Sequence, residues 1–338
     1  MKAVIVRDLG EPDVLSWEDR PVPEPGRGEV LVRVTATSVN FADIKARRGQ
    51  YHGAGKPPFI PGLDAAGIIE KMGPGVESLT TGMRVAVFPK GGSYAEYVVA
   101  DQMLVYPLPD AISWEAAAAL PTVGFTAYTL LTQVGQLTPG ESILIHAAAG
   151  GVGTTAVQLA RLLGANRVIG TVSRPDKRAA VEAMGAEVIE YGDGHFSDAV
   201  NDMTNGRGVD VVLDSIGGSV SEESLHCLAH FGRLVHFGSA SGQPGHIRVS
   251  DLHASCRSAR GYSLGTARVE RPQSIAPTAR AVLELAAEKR LVMQIGRHYP
   301  LAEAAEAHRW MESRDSIGKI ILDVNNPGLK VGAPPVNR

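Results

Sequence analysis

The stretch His146–Gly153, "HAAAGGVG", constrains this chain more than any other. It directly follows "SILIH" (142–146), a short apolar run that reads as a buried strand. It directly precedes "TTAVQLARLLGA", which has the spacing of an amphipathic helix. A glycine-rich turn between a strand and a helix lets backbone amides and the positive end of the helix dipole meet a pyrophosphate. The frame reads Ala148-Ala149-Gly150-Gly151-Val152-Gly153, so alanine replaces the first glycine of G-x-G-x-x-G. That position needs only a tight turn, which alanine makes while its φ stays negative. Gly150 admits a pyrophosphate close to the backbone, and Gly153 lets the helix pack against the sheet. The expectation is a dinucleotide cradle; the alternative is a purely structural glycine-rich turn.

The surroundings repeat the same rhythm. "RVIGTV" (167–172), "EVIEY" (187–191), "VDVVLDS" (209–215), "GRLVHFG" (232–238) and "ARGYSL" (259–264) read as further strands. "PDKRAAVEAMG" and "FSDAVNDMT" read as helices between the early ones. Apolar strands without polar alternation predict a parallel sheet covered on both faces, doubly wound and of about six strands. The chain before this region has a different texture. "EVLVRVTATSV" (29–39) alternates as a half-buried strand does, and "AAGIIEKM", "RVAVF" and "SYAEYVVA" follow with Gly and Pro between them. That pattern predicts a compact β-barrel-like domain. "SWEAAAAL", capped by Ser113, and "GFTAYTLLTQVG" read as two helices. After the second domain, "TARAVLELAAEK" reads as a long helix, and a strand–helix–strand run ending in "GKIILDV" is expected to rejoin the first domain. The Pro-, Gly- and Asn-rich tail, 325–338, is expected to be poorly ordered.

Composition narrows the function classes. A length of 338 residues fits two domains. The net charge is −3 with both signs interspersed, which gives no basic patch for nucleic acid or an anionic membrane. No run of about 18 apolar residues is present, and Arg7 and Asp8 interrupt the N-terminus too early for a signal peptide. The only cysteines are Cys227 and Cys256, so a reducing cytoplasm is the expected location.

The end of the strand after the cradle selects the cofactor. An NAD site carries an acid there, about 20 residues on, to accept from the ribose 2′-hydroxyl. This chain reads Thr171-Val172-Ser173-Arg174-Pro175-Asp176-Lys177. A hydroxyl and two cations, Ser173, Arg174 and Lys177, suit a 2′-phosphate. The alternative is a solvated loop with ordinary surface charges. Asp176, the nearby acid, is expected to open the next helix, where its charge suits the dipole.

"HAAAGGVG" together with "VNFADIKARRGQY", "PGLDAAG", "GFTAYTLL", "VDVVLDSIGG", "FGSASG" and "GKIILD" resembles, in order, the zinc-independent quinone oxidoreductases of the medium-chain dehydrogenase/reductase superfamily. The resemblance covers residues 1 to 324. It implies an α/β architecture with a GroES-like β-barrel-type catalytic domain (1–124 and 268–324) and a Rossmann domain (125–267), with NADPH in the cleft between them. It implies homodimers joined through the edge strand "ARGYSL". Carried over by position, Gly150, Gly151 and Val152 would face the pyrophosphate and nicotinamide. Ser173, Lys177 and Tyr191 would hold the 2′-phosphate, with Arg174 matching by charge alone. Phe237, Gly238 and Ser239 would lie near the nicotinamide ribose.

Against the zinc-dependent relatives, this chain has Asn40 at the position of the catalytic cysteine and Gly62-Leu63-Asp64 at that of Gly-His-Glu. Leucine cannot ligate, and no cysteine quartet exists for a structural zinc. His226 and His230, spaced i, i+4 beside Cys227, could share a helix face, but the Glu-bearing HExxH pattern is missing.

Without a metal, hydrogen-bond donors must stabilise the oxyanion that forms as hydride arrives. Tyr51, Asn40 and Thr126 are the candidates. Tyr51 is otherwise a half-buried aromatic, and Asn40 a turn residue closing its strand. Asp43 is a candidate to orient neighbours or to begin a helix, and His52 is a further acid candidate. Three readings stand: an NADPH-dependent quinone or enone reductase; an enoyl thioester reductase, since those share the Gly-x-Tyr of Gly49-Gln50-Tyr51; and an NADPH-binding sensor without turnover.

Overall fold

The computed structural model describes residues 1–51, 55–191 and 195–324. His52 and the tail 325–338 lie outside the described residues. The chain forms two compact units, Met1–Phe125 with the chain from Gly265 onward, and Thr126–Leu264.

The first unit is built on a seven-stranded sheet. Its order is Ile295–Pro300, Lys319–Asp323, Glu29–Val39, Ala65–Met72, Arg84–Val87 and Val105–Pro107, with Tyr97–Asp101 also paired to Glu29–Val39. Every pairing is antiparallel except the one between Ile295–Pro300 and Lys319–Asp323. The "GKIILDV" segment thus rejoins the first domain, as its apolar run predicts. Glu29–Val39 is more buried than simple alternation requires, and two register shifts against Ala65–Met72 explain this. The shifts turn the strand from one core to another. Val30, Val32 and Val34 pack with Ile69, Val85 and Val98, whereas Val39 packs with Tyr94, Tyr299 and Ile320.

The two helices expected around Pro121 are one. Trp114–Thr129 is continuous, with Pro121 inside it, and a π-helical turn Leu130–Val134 follows. Proline ordinarily breaks a helix because it lacks an N–H and crowds the preceding turn. Here the neighbouring Thr122 N–H is turned to the carboxylate of Asp64 at 2.9 Å. The surrounding alanines, Ala117, Ala118 and Ala119, are fully buried, so packing holds the helix where propensity alone would end it.

The second unit is a six-stranded, all-parallel sheet in the order Glu187–Glu190, Arg167–Val172, Ser142–Ile145, Val209–Asp214, Leu228–His236, Ser258–Gly261. The order runs outward in both directions from Ser142–Ile145, so the strand before the glycine turn lies at the topological switch point, where open α/β sheets bind ligands. His226 and His230, which could have shared a helix face, do not lie on one helix. His226 lies in the short turn Leu225–Cys227 and His230 in the strand Leu228–His236. The buried Cys227 and Leu228 favour ending the helix and entering the sheet. Among the described residues no helix is long and apolar enough to cross a membrane.

Candidate functional site

In the second unit, the turn after Ser142–Ile145 leads into helix Gly151–Leu162. The left-handed residue of the turn is Ala147 (φ 50), one position ahead of the glycine frame. Ala148 stays on the negative side, which is why alanine is tolerated there. A Cβ on Gly153 would come within 2.4 Å of the Ala147 carbonyl oxygen and 2.6 Å of Ala148 Cα, so only glycine fits. A Cβ on Gly150 would meet nothing closer than that carbonyl at 3.3 Å. The amides of Gly151, Val152 and Gly153 belong to the first helical turn, which has no carbonyl of its own to receive them. The turn fits the phosphates of a dinucleotide: it offers unmet amides and a helix start with no side chain in the way.

His146 closes the preceding strand and is buried. Its ring bonds Thr171 Oγ1 at 3.0 Å and Ser224 Oγ at 2.9 Å, and burial pulls its pKa down to about 4 against the pull of Asp214. It is a neutral core histidine.

Ser173 and Tyr191 lie at the ends of neighbouring strands. Ser173 follows Arg167–Val172, and Tyr191 follows Glu187–Glu190, its N–H donating to Val172 O at 3.2 Å. Ser173 is exposed and Lys177 is buried in the turn Pro175–Lys177. Arg174 pairs with Asp176 through two bonds of 3.1 Å. Asp176 lies in the first turn of the 3-10 segment Pro175–Lys177, which runs directly into the helix Arg178–Glu182, so it opens that helix as expected and also pairs with Arg174.

Phe237, Gly238 and Ser239 follow the strand Leu228–His236. The Phe237 N–H donates to Asp214 O at 2.9 Å, which ties this loop to the end of Val209–Asp214. Sequence reasoning did not single out Asp214. Its carboxylate accepts from the N–H groups of Ile216 (2.7 Å) and Gly217 (3.1 Å), from the Ser221 hydroxyl and from His236 Nδ1 (3.1 Å). Burial opposes its ionisation, but those bonds hold its pKa at about 2. Thr126, at the start of this unit, is buried on the helix Trp114–Thr129.

The first unit gathers a buried polar cluster at the end of Glu29–Val39. Asn40 caps helix Phe41–Arg47, but its amide faces elsewhere. Lys319 Nζ donates to Asn40 Oδ1 at 2.6 Å and to Val39 O at 3.0 Å, and Asn40 Nδ2 donates to Asp64 Oδ1 at 3.0 Å. An ammonium can only donate and a carboxylate can only accept, so the amide has one possible orientation. Ser38 Oγ also donates to Asp64 Oδ1, at 2.9 Å. Asn40 thus bridges the Lys319 ammonium and the Asp64 carboxylate at positions where the zinc-dependent pattern has its ligands. Burial lowers the Lys319 pKa against the upward pull of Asp64 and Asp43. Among the described residues no group of three His, Cys, Asp or Glu side chains could hold a metal.

Asp43 performs both roles expected of it. Its Oδ2 accepts the Asn40 N–H at 2.8 Å, and Tyr94 OH donates to the same oxygen at 3.2 Å. Tyr94 oxygen contacts His308 Nε2 at 3.1 Å, and His308 Nδ1 contacts Arg47 Nη1 at 3.2 Å. Arginine has no acceptor, so His308 Nδ1 accepts and its proton sits on Nε2. The chain of donors then runs one way, from Arg47 through His308 and Tyr94 to Asp43. Burial lowers the His308 pKa to about 3, with Arg47 adding to the effect. Burial also raises Asp43 to about 7, with Asn40 opposing and Asp64 adding.

Tyr51 is half-buried, and burial raises its phenol above the ordinary value, against the nearby charge of Arg268. Arg268 stands 4.5 Å over the ring of Phe88, which itself packs edge-on with Tyr106 and Phe125. In one unit, the structure therefore brings Asp43 and Asp64 within electrostatic reach of both Lys319 and Arg268, and Tyr51 within reach of Arg268 and Asp43. Lys319, Arg268, Tyr94 and His308 were not apparent from the sequence, where each is a single polar residue without a motif.

A glycine cradle on a doubly wound sheet in one unit and a buried donor cluster in a separate β-rich unit define a two-domain nucleotide-dependent dehydrogenase or reductase. The comparisons agree. Residues 26–110 match the alcohol dehydrogenase GroES-like domain, and residues 151–283 match the zinc-binding dehydrogenase family. A 2-haloacrylate reductase of Burkholderia is 36% identical over 336 residues, covering 95% of this chain and 98% of that protein. A quinone oxidoreductase of Pseudomonas aeruginosa is 38% identical over 323 residues, covering 93% and 96%. The structure of Escherichia coli quinone oxidoreductase complexed with NADPH matches with a TM-score of 0.90 at 32% identity, covering 96% of this chain and 100% of that one. The chain belongs to the quinone oxidoreductase group of the medium-chain dehydrogenase/reductase superfamily.

Proposed function

We propose that the protein is an NADPH-dependent, zinc-independent reductase that transfers a hydride to a quinone or another α,β-unsaturated carbonyl compound. The observation that carries the reading is the amide of Asn40, held in one orientation between Lys319 and Asp64 where a metal-dependent relative has ligands. It leaves one Nδ2 hydrogen for an oxygen on which charge develops. Tyr51 and Thr126 are the other donors in this assignment. NADPH supplies the hydride. Gly150, Gly151 and Val152 would receive its pyrophosphate, Ser173, Lys177 and Tyr191 its 2′-phosphate with Arg174 in support, and Phe237, Gly238 and Ser239 its nicotinamide ribose. The Escherichia coli relative's NADPH complex supports this choice of cofactor. In this reading the catalytic domain is 1–124 with 268–324, the cofactor domain is 125–267, and the protein is a cytoplasmic homodimer.

A second reading, reduction of enoyl thioesters, is favoured by one comparison. The chain is 34% identical over 343 residues to part of a Mycobacterium tuberculosis mycocerosic acid synthase-like polyketide synthase, of which the match covers 16%. Steady-state NADPH oxidation with quinones, enones and enoyl-CoA esters tests both. Turnover of the first two supports the proposal, and turnover of the esters alone supports the second reading. NADPH binding without turnover on any of them leaves a sensor.

A further inference from the structure

Two polar groups of the first unit, Arg268 and Thr122, have unmet hydrogen-bonding capacity. Arg268 forms no ion pair with a carboxylate among the described residues, and its Nε–H is shut off from solvent without a partner. Its remaining bonds are to backbone carbonyls: Nη1 to Leu63 O at 3.4 Å and Nη2 to Pro89 O at 3.1 Å. The Thr122 hydroxyl is likewise buried without a partner. Both residues are anchored to the same short segment, Arg268 through Leu63 O and Thr122 through its N–H on Asp64 Oδ2. A polar N–H or O–H shut off from water without a partner is costly. The aromatic ring of Phe88 offsets only part of that cost.

We infer that Arg268 and Thr122 form a receptor for the carboxylate of an α,β-unsaturated acid, so that the substrate class includes small acrylate-type anions. The inference rests on the reductase reading above and names the substrate that reading leaves open. Each Nη nitrogen keeps a hydrogen beyond its carbonyl bond, and the two form a fork that a carboxylate matches. An arriving anion displaces the long bond to Leu63 O and turns the unmet groups toward itself. The chemistry balances with NADPH as reductant. Hydride adds to the β-carbon, and the alkene π pair moves to the α-carbon and into the carboxylate. A proton from water then adds to the α-carbon, leaving NADP⁺ and the saturated acid. The extra charge on the carboxylate in the transition state is what a guanidinium stabilises better than a neutral group would.

The experiment compares 2-chloroacrylate, its methyl ester and a quinone as acceptors with NADPH, in the wild type and in Arg268→Gln, Arg268→Lys and Thr122→Val. The wild type is expected to reduce the acid with a kcat/KM above that of the ester. Arg268→Gln should lose about 10- to 100-fold in kcat/KM on the acid, in kcat as well as in KM, while the ester and quinone change little. Thr122→Val should show a smaller loss with the same selectivity. Propanoate, the saturated carboxylate, should inhibit ester reduction by the wild type competitively, a readout that needs no variant to fold. Equal losses on acid and ester, or no inhibition by propanoate, would overturn the inference. Reduction of ester and quinone without the acid overturns it and leaves the reductase reading intact. Reduction of none of the three overturns both.

Discussion

Lys319 Nζ lies 2.6 Å from Asn40 Oδ1, and both residues are buried. The ammonium fixes which end of the amide is acceptor and which is donor, and Asp64 takes the donor end. Lys319→Met removes the cation and takes away the donor to Asn40 Oδ1. Breaking one partner of a buried charged network costs about 3–5 kcal/mol. Denaturant midpoints should show a loss of that order. Lys319→Arg, which keeps the charge, should recover part of it. A Lys319→Met protein as stable as the wild type would mean that the cluster is not held by the ammonium.

Tyr51→Phe keeps the ring and removes only the hydroxyl. Burial raises the Tyr51 pKa, so the phenol is protonated and able to donate at neutral pH. Losing one donor to a developing oxyanion costs about 100- to 1000-fold in turnover. The expected result is a fall in kcat of that size with the NADPH dissociation constant unchanged. Wild-type turnover of the best acceptor, with chemistry rate-limiting, would reduce Tyr51 to a wall of the pocket.

The strands and the cradle were legible because their signals are local. "RVIGTV" and "EVLVRVTATSV" form strands over the spans their patterns predict, since apolar periodicity over six or more residues leaves few alternatives. The helix through Pro121 was not legible, because its continuity depends on buried packing and on Asp64, which is distant in sequence. The donor cluster was legible only in part. Asn40 and Tyr51 stand in a recognisable segment. Lys319, heading an apolar strand, reads as a surface residue until the sheet places it beside Val39, and Arg268 and His308 lie on helices with no motif of their own.

Cofactor preference should follow Lys177 more than Arg174. Lys177 is buried in the turn Pro175–Lys177, whereas Arg174 is exposed to solvent, which screens its charge. A charge-assisted bond to a 2′-phosphate is worth about 1.5–3 kcal/mol. Lys177→Ala should therefore weaken NADPH binding about 10- to 100-fold and leave NADH binding nearly unchanged, as measured by fluorescence titration. Arg174→Ala should have the smaller effect. Equal wild-type affinities for the two cofactors would remove the basis for assigning a 2′-phosphate site to these residues.

Asp43 gives stability a pH dependence of unusual sign for a carboxyl. Burial, with Asp64 adding and Asn40 opposing, lifts its folded pKa from the ordinary 3.8 to about 7. Between those values the folded chain keeps a proton that the unfolded chain has lost. Stability from this group therefore falls as pH rises through that window. His308 acts in the opposite direction: its folded pKa is about 3 against an ordinary 6.5, so the unfolded chain binds the extra proton there and stability rises with pH. The two nearly cancel where they overlap, which would hide both in a wild-type profile. Asp43→Asn removes one of them. Relative to the wild type, that variant should gain stability from about pH 4 to about pH 7, by on the order of 1.4 kcal/mol per pH unit at most, and the difference should then level off. Urea midpoints of the two proteins across that range measure it. A difference that does not change with pH would mean that Asp43 ionises in the folded chain as an ordinary aspartate does, with the donors from Tyr94 and Asn40 outweighing its burial.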